Sequence, residues 1–150
     1  FMAGLHANIN QYTKSGSAPI KAAARGESTV GIVFMHDAVK QAVAGFPITV
    51  VAPCEGTGYE IGSMSIIDGA RNEDSAKAFY DWALTTEAQN LALEVNAFQV
   101  PSNKNSNTSP AAPNMDDIKL IDYNFTLYGS SAERRRLLSK WDEDISTLAQ

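Results

Sequence analysis

The residues best suited to chemistry are His36, Asp37 and Glu60. His36 and Asp37 follow directly on the apolar run Thr29-Val-Gly-Ile-Val-Phe34, and Glu60 precedes the run Ile61–Ile67 just after a glycine-rich crossing. The imidazole of His36 and the carboxylate of Asp37 offer acceptors that suit sugar hydroxyls. Side chains at the carboxyl ends of strands can converge in a cleft, where open α/β sheets bind their ligands. The alternative is local: Asp37 caps the following helix, His36 is a surface residue, and Glu60 is a solvated strand-edge carboxylate. A second candidate is Thr13-Lys-Ser-Gly-Ser17, ahead of an expected helix. The hydroxyls of Thr13, Ser15 and Ser17 and the backbone N–H groups around Gly16 can hold a phosphate or carboxylate. The segment lacks the Lys-Ser/Thr ending of a Walker A loop, and an ordinary serine cap is the competing reading.

Other chemistries fare less well. One histidine with two carboxylates has the donor types of a facial metal set, but no second histidine stands nearby, because His6 lies in the first expected helix. No metal or other cofactor is expected. A Ser-His-Asp hydrolase lacks the G-x-S-x-G elbow. His36 and Asp37 are also sequence neighbours, so their side chains diverge instead of forming a relay. Cys54 is the sole cysteine, which rules out an internal disulfide and a cysteine-built metal site. It is expected to be a small, partly buried thiol.

With 44% hydrophobic and 19% charged residues, the 150-residue chain has the composition of one globular domain. The net charge of −5 opposes broad nucleic-acid binding, which needs a basic face. A local group of donors can still hold a small anion. No apolar run approaches the roughly 20 residues needed to span a bilayer.

The elements that must position these residues follow from local signals. Residues 1–12 read as helical, with Leu5 and Ile9 four apart. That opening resembles the middle of an amphipathic helix, so the chain is expected to be a fragment. Ser17 and Pro19 open a short helix from Ala18 to about Arg25, stopped by Gly26. The β-branched runs 29–34 and 48–52 suit strands covered on both faces, with a helix from about Asp37 to Ala44 between them. A third strand is expected over Ile61–Ile67. Asn72 caps a helix striped with Ala76, Phe79, Tyr80, Ala83 and Leu84. Thr86-Glu-Ala-Gln89 and Ser130-Ser-Ala-Glu133 read as capping boxes. The last helix carries Leu137, Leu138, Trp141, Ile145 and Leu148 inward. Trp82 and Trp141 are expected in the core, and Arg134–Arg136 on a solvated face. Residues 102–117 should form a long surface loop. Strands alternating with helices imply an α/β fold.

Three segments together resemble a known family. They are Ala24-Arg-Gly-Glu-Ser-Thr-Val-Gly-Ile-Val33, Gly58-Tyr-Glu-Ile-Gly-Ser-Met-Ser-Ile-Ile-Asp-Gly-Ala70 and Ala76-Lys-Ala-Phe-Tyr-Asp-Trp-Ala-Leu-Thr-Thr-Glu-Ala-Gln89. The resemblance is to the periplasmic solute-binding proteins of ABC importers, in the subgroup usually labelled ferric-ion binding. It runs from about Gln11 to Ile145 and covers only the second half of that longer pattern. It implies part of a type II periplasmic-binding-protein fold, in which two α/β lobes hold ligand between them. Residues 1–53 would then belong to the second lobe, 54–58 would cross the hinge, and 59–150 would return to the first lobe and the C-terminal helices.

Ferric-binding members carry adjacent tyrosines just after the strand that here ends in Phe34; this chain has Met35-His-Asp37 instead. His36, Asp37 and Glu60 are similar to the residues with which phosphorylated-sugar binders of the subgroup contact sugar hydroxyls. The Ser15-Gly16-Ser17 loop, with Thr13, is the fitting partner for the phosphate. The resemblance thus implies a hexose-phosphate receptor of the periplasm, or a membrane-anchored extracellular one in a Gram-positive source, which delivers to an inner-membrane ABC permease and does no covalent chemistry. The alternatives are a ferric-ion or other small-anion receptor, a small hydrolase using Ser15 or Ser17, and a ligand-sensing module fused to a transcription factor. Without the rest of the fold, apolar surface should stay exposed and favour a dimer or a domain swap.

Overall fold

The computed structural model describes residues 1–148. Its helices are α1 (Met2–His6), α2 (Ala18–Ala24), α3 (Met35–Val43), α4 (Glu73–Ala83), α5 (Thr86–Glu94), α6 (Phe125–Tyr128) and α7 (Ser131–Lys140). A 3₁₀ turn covers Met115–Asp117, and α7 widens into a π turn over Trp141–Ile145. The chain forms two compact units, one from Phe1–Lys14 with Ile121–Gln150, the other from Ser15–Leu120.

In the first unit α1 packs against the π turn. The helix expected over residues 1–12 is confined to Met2–His6. The Asn8 side-chain amide donates to the Gly4 carbonyl at 2.9 Å, occupying the acceptor that the next turn would use. Among the described residues of this unit, His6 is the buried polar one. Its Nε2 donates to the Leu148 carbonyl at 3.1 Å, because a carbonyl can only accept. In the neutral ring Nδ1 is then the acceptor, and the Tyr12 hydroxyl lies 3.0 Å from it. Tyr12 stacks on the imidazole and Trp141 meets it edge-on. In the π turn the Ser146 N–H reaches the Trp141 carbonyl at 2.8 Å, so the last helix is not the uniform amphipathic one expected. Leu137, Leu138 and Leu148 stay exposed, which corrects their assignment to an inward stripe.

The second unit contains α2 against α3 and α4 against α5. Pro19 stands in the first turn of α2, and Ile20, Ala38 and Val39 are buried where α2 and α3 meet. The Thr85 hydroxyl, one residue earlier than expected, caps α5 by accepting from the Ala88 N–H at 3.2 Å. Gln89 is thereby released from a capping role. Its amide donates to Ser102 Oγ at 2.9 Å and accepts from the Asn103 N–H at 2.9 Å. Asn90 accepts from the Asn107 N–H at 2.8 Å, so α5 pins the first part of the 102–117 loop. Asn72 does not cap α4 with its side chain.

The strand expectations over 29–34, 48–52 and 61–67 are corrected. Among the described residues the β pairing is one parallel bridge, Thr57 with Leu120, where the Thr57 N–H donates to the Lys119 carbonyl at 2.9 Å. A strand forms only when a neighbour accepts its ladder. These runs have the β-branched composition but no paired neighbour. Val30 and Ile32, on one face of that run, are 75% and 70% exposed, so it is not covered on both faces as a buried parallel strand would be. Trp82, expected in the core, is also exposed and touches Phe79. Cys54 is exposed as well, not partly buried, and its thiol donates to Glu55.

Candidate functional site

The start of α3 differs from expectation in a way that matters. The helix begins at Met35 with Phe34 as its N-cap residue, two positions earlier than expected. Phe34 ends the β-branched run in extended conformation, and its carbonyl accepts from the Asp37 and Ala38 N–H groups at 3.0 and 3.3 Å. His36 and Asp37 therefore project from the first helical turn instead of a strand end. Asp37 does not cap the helix with its side chain, so that local explanation for its presence is removed. Its negative charge still sits favourably in the first turn. His36 Nε2 and Asp37 Oδ1 are 3.9 Å apart, beyond hydrogen-bond range, and both side chains are partly open to solvent.

The serine loop reaches the same region. An added Cβ at Gly16 would lie 3.5 Å from the Phe34 ring, which places the loop backbone on that ring. The Phe34 ring in turn stacks on the His36 imidazole, with centroids 5.6 Å apart and planes 12° apart. The serine loop thus meets the Phe34 ring at Gly16, and that ring stacks on His36, whose chain neighbour is Asp37. Phe34 is the residue that sequence reasoning missed; an aromatic side chain one residue before a helix was the available signal. Ser17 occupies the N-cap position of α2, but its hydroxyl makes no capping bond. It lies 3.5 Å from the Ser15 hydroxyl. A serine at an N-cap that does not cap leaves its hydroxyl for something else.

Glu60 stands just before the 61–67 run. It is exposed and makes no hydrogen bond or ion pair among the described residues. Thr13 belongs to the other compact unit. Among the described residues no three His, Cys, Asp or Glu side chains come together as a metal site.

The chain as a whole is similar to known proteins. Residues 1–118 match the family model described as bacterial extracellular solute-binding protein. The chain superposes on the periplasmic binding protein AfuA from Actinobacillus pleuropneumoniae, solved with exogenous fructose-6-phosphate bound. There the TM-score is 0.91 and the identity 49%, over 98% of this chain and 46% of that one. It superposes equally fully on the periplasmic binding protein P5PA, with TM-score 0.87 and 36% identity, over 97% of this chain and 46% of that one. An uncharacterized protein of Haemophilus influenzae is 45% identical over 97% of this chain and 42% of its own length.

The chain belongs to the bacterial extracellular solute-binding proteins, and its fold is part of the type II periplasmic-binding α/β architecture. It spans less than half the length of these relatives. The family and the two solved neighbours are solute-binding proteins and not enzymes, which sets the hydrolase alternative aside.

Proposed function

We propose that this chain supplies part of the binding site of a periplasmic receptor for a phosphorylated sugar, and that the receptor delivers its ligand to an ABC permease in the inner membrane. The observation that carries this reading is the joining of the serine loop to His36 and Asp37 through Phe34. It brings a loop that carries two hydroxyls next to a helical turn that carries an imidazole and a carboxylate. In this reading Ser15, Gly16 and Ser17 receive the phosphate. His36, Asp37 and Glu60 take the sugar hydroxyls. The likeness to AfuA, which was solved with fructose-6-phosphate, supports the choice of ligand class. The absence of a tyrosine at positions 35–37 argues against a ferric receptor, because phenolates are the hard oxygen ligands such an ion prefers.

Residues 54–58 serve as the hinge in this proposal, with 1–53 and 59–150 on its two sides. Pro53 and Gly56 close a turn there, with the Gly56 N–H donating to the Pro53 carbonyl at 3.1 Å and Gly56 at φ 124°. Few residues other than glycine adopt that angle. Ligand contacts made only in the closed form would select closure. Calorimetric titration of the full-length protein tests the reading. It predicts micromolar or tighter binding of fructose-6-phosphate and much weaker binding of fructose. Tight ferric binding with no response to any sugar phosphate would overturn it.

A further inference from the structure

Gly31 lies where its chain passes the start of α2. A Cβ there would stand 2.9 Å from the Pro19 carbonyl oxygen and 3.0 Å from the Pro19 carbonyl carbon. Both are backbone atoms, and the Ile20 side chain that follows is buried, so the neighbour cannot swing aside as a flexible side chain would. Nothing but a glycine leaves the 18–20 backbone this close to the 29–34 run. A second tie lies nearby: Gly16 rests on the Phe34 ring, and that ring stacks on His36. The serine loop and the first turn of α3 are therefore connected twice, once through backbone contact and once through an aromatic ring.

We propose that Gly31 and Phe34 are positioning residues that fix the separation between the Ser15–Ser17 hydroxyls and the His36–Asp37 pair, and that this separation selects sugar phosphates by the reach from phosphate to hydroxyls. The inference rests on reading this cluster as a phosphorylated-sugar site. Neither residue needs to touch the ligand. Enlarging position 31 pushes α2 and its preceding loop away from the 29–34 run, so a ligand held at both ends loses one set of contacts. Removing the Phe34 ring frees the loop and the imidazole to move independently.

Titration of the full-length protein with fructose-6-phosphate and with the shorter ribose-5-phosphate tests this. Gly31→Ala should weaken fructose-6-phosphate binding by about tenfold, the equivalent of one lost hydrogen bond. The ratio of the two affinities should also change by about fivefold or more, since the two sugars differ in reach. Phe34→Leu should change that ratio as well. Gly62→Ala, at a position with nothing within 4 Å of an added Cβ, should leave both affinities unchanged. A merely structural role would lower both affinities together and leave the ratio alone. An unchanged ratio in Phe34→Leu and in a folded Gly31→Ala overturns the proposal while the site reading stands. If Gly31→Ala does not fold, Phe34→Leu alone decides. If the wild-type protein binds neither sugar phosphate, the site reading fails and takes the proposal with it.

Discussion

Ser17 separates a structural role from a binding role. A serine whose hydroxyl caps a helix is worth about 1 kcal/mol, but the Ser17 hydroxyl makes no such bond. Ser17→Ala should therefore cost less than about 0.5 kcal/mol in denaturant titration while weakening sugar-phosphate binding. A full capping loss with unchanged binding would return Ser17 to the ordinary role. His6 is the opposite case. It is 3% exposed and bonded on both ring nitrogens. His6→Ala leaves the Leu148 carbonyl and the Tyr12 hydroxyl without this partner and should destabilise the fold by about 1–3 kcal/mol. Equilibrium unfolding measures that loss. None of the bonding of His6 was legible in the sequence, because one partner is 142 residues away. His36 and Asp37 were legible as a pair, but their place on a helical turn was not. The β-branched run before them masked a helix that starts at Met35.

At the scale of elements, local signals read correctly where the element depends on itself. Pro19 opens α2, and the Ser130 hydroxyl caps α7 by accepting from the Glu133 N–H at 3.2 Å. Strand composition failed at 29–34, 48–52 and 61–67, because a strand depends on a neighbour that sequence patterning does not supply. The 102–117 loop is held by α5 through Gln89 and Asn90. Gln89→Ala removes these amide contacts and should speed proteolysis near residues 102–107 and lower stability by about 1 kcal/mol. Unchanged cleavage would show that the loop is held elsewhere. In α7 the Arg136 guanidinium hydrogen-bonds the Glu133 carboxylate and holds it below its usual range. A carboxylate depressed in the folded state contributes stability above its unfolded value and loses it as pH falls through the folded one. Acid titration of Glu133→Gln should therefore lack a small part of the wild-type loss, and added salt should reduce the difference, because the Arg136 side of the pair is open to solvent.

At the scale of the whole molecule, the accessible surface is 11452 Å². A folded monomer of 16.2 kDa is expected to expose only about 7,500 Å². Much of the surplus is apolar: Val30, Ile32, Val51, Ile61 and Ile67 are each at least 70% exposed. An open apolar groove of about 440 Å³ lies between residues 64–67 and α4. Surface of this kind favours association. The 150-residue chain alone should bind a hydrophobic dye and sediment as larger species at higher concentration, whereas a monodisperse monomer that ignores the dye would contradict this. The family and the fold were legible from motif segments spread along the chain, since those survive whether or not the sheet is completed.

The central claim is that Asp37, joined to the serine loop through Phe34 and His36, binds a phosphorylated sugar. It is tested most directly by calorimetric titration of fructose-6-phosphate into the full-length protein and its Asp37→Ala variant. A carboxylate that accepts from sugar hydroxyls contributes about 1.5–3 kcal/mol, so the variant should bind roughly ten- to a hundredfold more weakly while its unfolding midpoint stays close to that of the wild type. Equal affinity in the two proteins would contradict the account.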